Sequence, residues 1–184
     1  MDEATREFRA PRTITPTDLG DDLARLVWES FSDFVSEGET ATAFDQLQLV
    51  DDEGNPDTRA VEESLIFLMW AHTRGVQQAF FGRAPSELLK QALDELHSAV
   101  FEDLVANGTP RTQLPLFEQR VGARYSEYHQ AAENSDADLA RAVLRHLAGG
   151  REAPDAVTAV VAERALAVAG PLRDYLEEVE LIPA

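Results

Sequence analysis

The sequence predicts an all-α fold, a single-domain helical bundle of five to seven helices around one central apolar helix. Three observations carry that expectation. Apolar residues recur at helical spacing through most of the chain. Caps, glycines and prolines punctuate the breaks between the periodic stretches. The run Leu65-Ile66-Phe67-Leu68-Met69-Trp70-Ala71 is apolar all round, as a helix enclosed by others must be. With 184 residues, 44% of them hydrophobic, the chain can bury one sizeable core. The domain is expected over residues 15–184, preceded at 1–14 by a disordered or loosely held N-terminal tail.

The first helix starts where Thr15 can act as N-cap, Pro16 takes the first helical position and Asp18 the third. It runs to about Glu37 with Leu19, Leu23, Leu26, Val27, Phe31 and Phe34 on one face, and Gly38 stops it. From Glu39 to Asp57 the pattern fails, and the stretch reads as a long loop with turn chemistry at Asp51-Asp52-Glu53-Gly54-Asn55-Pro56. The central helix spans about Asp57 to Phe81. A third follows from Ser86 to Ala106, closed by Asn107-Gly108. The fourth covers about Pro115 to Glu133, and the fifth, capped by Ser135, covers Asp136 to Ala148. A sixth, rich in Ala and Val, opens at Pro154 and is expected to pack closely against the central helix. Gly170-Pro171 should kink or break it, leaving a last short helix from Leu172 to about Val179.

The charge balance speaks of surroundings more than of a reaction. Lys90 is the single lysine beside fifteen arginines and 34 acidic residues, for a net charge of -18. Such a surface repels phosphate backbones and anionic lipid, so nucleic acid and membrane are not expected partners. Salt relieves carboxylate self-repulsion, which fits halophilic adaptation; a GC-rich genome accounts for Arg over Lys but not for the acidity. There is no cysteine, which excludes disulfides, thiolate metal sites and cysteine nucleophiles. The opening residues Met1 to Thr15 carry no apolar signal segment, and no run approaches a membrane span, so the expected location is cytoplasmic.

Chemistry-bearing clusters are few. If the second and third helices form an antiparallel hairpin about Gly82–Pro85, His72 and His97 fall at nearly one level, with Glu62 and Asp94 on neighbouring faces. A di-iron bundle needs Glu-x-x-His, which does not occur, and His72 reads as a hydrogen-bonded core histidine. Asp51, Glu53, Asn55, Asp57 and Glu62 follow the count of a calcium loop, yet Pro56 stands where the turn needs glycine. A polar turn capping the second helix accounts for the same residues. No metal and no cofactor is therefore expected.

The fourth helix bears the densest polar and aromatic cluster, Glu118, Arg120, Arg124, Tyr125, Glu127, Tyr128 and His129. His72, Arg124, Tyr125 and Tyr128 are the candidate ligand-binding residues, around an interhelical pocket. Arg124 itself is expected to form a structural fork with a carboxylate. Ile66, Phe67 and Trp70 share the side of the central helix opposite Leu65, Leu68 and His72, and are the candidate interface of a homodimer. No phosphate loop, nucleophile elbow or His-Glu-x-x-His motif is present, which points away from an enzyme. The expected function is that of an acidic, self-associating interaction or structural protein, the alternative being a helical enzyme or small-ligand binder using the interhelical pocket.

Overall fold

Helix caps read from the sequence are made as hydrogen bonds, and they set where the elements begin. The structure, a computed structural model, describes residues 12–36, 38–55 and 57–184. Among them are seven α-helices. α1 is Pro16–Ser36, opened by Thr15, whose Oγ1 accepts from the Asp18 amide at 3.2 Å and donates to Asp18 Oδ2 at 2.8 Å. α2 is Gly38–Gln46. α3 is Thr58–Ala79, capped by the Asp57 carboxylate, which accepts from the amides of Arg59 and Ala60 at 2.8 and 3.2 Å. α4 is Ser86–Ala106, and a 3-10 turn at Arg111–Gln113 leads into α5, Leu114–Asn134. α6, Asp136–Leu147, is capped by the Ser135 hydroxyl, and α7 is Asp155–Leu176.

α3 is the centre of the bundle. It packs against α7 and α1, and also against α6 and α5, and every residue from Glu63 to Thr73 is buried. Removing a Leu, Phe or Trp from this run would cost roughly 2–5 kcal/mol each, because the surrounding helices cannot all collapse on the void. Gly75 is where α7 comes closest: a Cβ there would sit 3.0 Å from Leu172 Cδ2. α4 packs on α1, where a Cβ at Gly20 would lie 2.9 Å from the Leu96 amide nitrogen. Trp28 fixes the far end of that pair by donating Nε1 to Asp103 Oδ2 at 2.7 Å.

Four expectations change. The stretch read as a loop holds α2, whose Ala43 and Phe44 are buried, with Phe44 edge-on to Phe34 at 5.6 Å between centroids. α7 runs unbroken through Gly170-Pro171. The clash that normally ends a helix before proline involves the preceding residue's Cβ, and Gly170 has none. The hairpin of α3 and α4 is not formed, since α4 turns aside to cover α1. Finally, residues 12–14 of the expected loose tail form a strand, β1 (Arg12–Ile14), paired in parallel with β2 (Val179–Leu181). The rest of that tail lies outside the described residues.

Near this ladder one side chain joins two helix ends. Arg83, just past α3, donates to the carbonyls of Ala79, Leu176, Glu177 and Val179 at 2.7–3.2 Å.

Candidate functional site

A cavity of about 330 Å³ opens between α1, α3 and α7. α1 contributes Asp22, Arg25, Leu26, Ser30 and Asp33 at near-helical spacing, so one edge of its buried stripe becomes a polar wall. α3 contributes His72, and α7 supplies Arg164, Val168, Pro171 and Tyr175 among others. The apolar part of the lining exceeds the polar part, with a few convergent polar groups, the usual build of a small-molecule site.

His72 is 3% exposed and its protonation is set by its partners. Nδ1 lies 2.7 Å from the Leu68 carbonyl, which can only accept, so the ring proton sits there and Nε2 presents a lone pair. The Ser30 hydroxyl is 3.5 Å from Nε2, at the long limit of a hydrogen bond. Burial pushes the imidazole pKa down to about 4, the Arg164 charge adds to that, and the Leu68 bond opposes it. The ring is neutral at pH 7.

Arg164 reaches this wall from α7. Its Nη2 donates to the Ser30 carbonyl at 3.3 Å, while Nε is buried with no partner. Among the described residues no carboxylate lies within ion-pair distance of it. By contrast Asp22 and Arg25 bond each other at 3.0 Å, and Tyr175 donates to Asp22 at 3.2 Å.

The four residues expected around one pocket make different contacts, and only His72 lines the cavity just described. Arg124 forks onto Glu63, Nε to Oε2 at 2.9 Å and Nη2 to Oε1 at 2.8 Å, and Arg120 pairs with Glu62 one residue earlier on α3. The bond to Glu63 is the main reason the Arg124 pKa is raised further. Tyr125 donates to His97 Nε2 at 2.9 Å, because His97 Nδ1 is committed to the Leu93 carbonyl, and its oxygen lies 3.4 Å from Thr73 Oγ1. Tyr128 is fully buried, edge-on to Trp70 at 5.8 Å, and burial raises its pKa. These contacts tie α5 to α3 and α4. His129 stacks edge-on to Trp70, and His146 bonds Glu127 at 2.6 Å.

The interface residues are corrected more firmly. Ile66, Phe67 and Trp70 are each 0% exposed, covered by the helices of their own chain rather than presented on its surface. The bundle covers both sides of α3, which the apolar run alone did not reveal.

The acidic turn before α3 is engaged with itself. Asp51 Oδ1 accepts from the amides of Glu53 and Asn55 at 3.0 and 2.8 Å, which holds its pKa below the usual value. Asp57 caps α3 and Glu62 meets Arg120. Among the described residues no group of three or more His, Asp or Glu side chains is arranged to hold a metal ion, and no helix is long and apolar enough to cross a membrane.

Arg164, Ser30 and Asp33 escaped the sequence reading because they stand far apart and form no motif. The available signal was Arg164 itself, a cation in the Ala/Val-rich sixth helix expected to pack on His72's helix. Comparison with protein families, with curated proteins and with solved structures returns no match for this chain.

Proposed function

We propose that this protein binds a small anion-bearing molecule in the cavity between α1, α3 and α7 and does not transform it chemically. The observation that carries this reading is Arg164, a cation on a cavity wall with no carboxylate partner in a chain where acids outnumber bases by two to one. A half-buried guanidinium without a counter-charge gains from a bound carboxylate or similar anion. Leu26, Val168 and Leu172 offer an apolar body a surface to cover. His72, with its pKa pushed down to about 4, is a weak general base, and the one hydroxyl that faces its lone pair, Ser30 Oγ, stands at the 3.5 Å limit of a hydrogen bond, which supports binding over catalysis.

Self-association has lost the surface assigned to it and forms no part of this reading. The acid excess supports a salty aqueous setting.

Thermal melting against a panel of small carboxylates, amino acids included, tests the proposal. A binder raises the midpoint with concentration, because it stabilises only the folded state. Arg164→Met should abolish the shift while leaving the unliganded midpoint nearly unchanged. An equal shift in that variant, or no shift from any member of the panel, overturns the reading.

A further inference from the structure

The cavity also presents acceptors, groups of the sign opposite to Arg164. Asp33 lines the same volume at its solvent-exposed edge and has no oppositely charged side chain within ion-pair distance among the described residues. α7 adds a backbone acceptor. Pro171 has no N–H, so the carbonyl of Ala167 lacks its i+4 donor, and both residues line the cavity. A helical carbonyl lies on the stripe joining residue i to residue i+4, and here that stripe is the cavity wall. The lone pair of His72 Nε2, which the Ser30 hydroxyl reaches only at the 3.5 Å limit, is a third acceptor.

One guanidinium and three acceptors around a single volume complement a molecule that carries both charges. Resting on the binding reading above, we propose that the ligand is zwitterionic, an α-amino acid or a molecule of the same charge layout. Its carboxylate meets Arg164, and its ammonium faces Asp33, the Ala167 carbonyl and His72 Nε2. Its side chain lies on Leu26, Val168 and Leu172. A volume of about 330 Å³ suits a molecule of that size, near the lower end for small-ligand sites. The uninterrupted helix at Pro171 then has a purpose beyond packing: it carries a free acceptor on rigid backbone.

Isothermal titration calorimetry of the full chain separates this inference from the broader one. The probes are the standard amino acids, with leucine as the reference, plus N-acetyl-leucine, which lacks the ammonium, and leucinamide, which lacks the carboxylate. At least one free amino acid should bind, and each blocked form of it should bind at least about tenfold more weakly, as expected for losing a charge-assisted bond. Pro171→Ala restores the missing amide and replaces a poor helix residue with a good one, so the variant folds. It should weaken the amino acid about tenfold and leave the N-acetyl form unchanged. Asp33→Asn should act in the same direction. If N-acetyl-leucine binds as tightly as any amino acid, or if Pro171→Ala has no effect, the zwitterion is overturned while the anion site stands. If no carboxylate of any kind binds, both readings fall.

Discussion

Replacing Arg124 by alanine strands a carboxylate that the fold has taken out of water. Glu63 is 3% exposed as a side chain and Arg124 21%, and the two share hydrogen bonds of 2.9 and 2.8 Å. Breaking a buried pair by removing one partner costs about 3–5 kcal/mol, since the remaining charge keeps its desolvation penalty without its compensation. The partial exposure of Arg124 lets water reach the vacated space, which places the expected loss at the lower end, about 3 kcal/mol. For a domain of this size that lowers the melting midpoint by roughly 6–12 °C. Urea denaturation followed by circular dichroism and tryptophan fluorescence gives the free energy directly, provided the two transitions coincide. The double variant Glu63→Leu/Arg124→Met should recover most of the loss, because it leaves no orphan charge. A loss below about 1 kcal/mol in the single variant, or a double variant no better than the single, would refute the argument.

Two further outcomes follow from the same electrostatics. His72 titrates at about 4 when folded, against 6.5 for an ordinary histidine, so between those pH values the unfolded chain binds a proton that the folded chain refuses. Stability from this residue is complete above about pH 6.5 and falls by up to about 3 kcal/mol as pH drops toward 4; His72→Gln should flatten that part of the stability-against-pH curve, and an unchanged slope would show that another group is responsible. With a net charge of -18, the wild-type midpoint should climb by several degrees between low and molar KCl as carboxylate repulsion is screened, and a midpoint indifferent to salt would return the acidity to genome composition alone.

Periodicity and capping made most helices legible before any coordinates. Thr15 with Asp18 and Ser135 with Asp138 are local signals that act within one turn, so tertiary context does not overrule them. α2 was not legible, because Gly-Glu-Thr-Ala-Thr-Ala-Phe-Asp-Gln has little apolar periodicity and is held by the burial of Ala43 and Phe44. The Pro171 break was misread through a rule that assumes a Cβ on the residue before. His72 stood out as the polar residue following an apolar run, yet its partners Ser30 and Arg164 come from helices that periodicity cannot align in space. The α5 cluster was visible as a cluster, and its role was decided by what faces it: Glu63 turns Arg124 into a strut.

The scarcity of lysine takes on a local meaning at Arg83. One planar guanidinium there serves the C-terminal carbonyls of α3 and α7 together, so the negative poles of two long helices converge on a single cation. An ammonium carries three donors on a tetrahedral head and cannot span carbonyls that come from two directions in one plane. The one lysine, Lys90, is by contrast 68% exposed and makes an ordinary contact with Asp94 along its own helix. At this joint the fold depends on the shape of arginine, and replacement by lysine would loosen α3 from the end of α7.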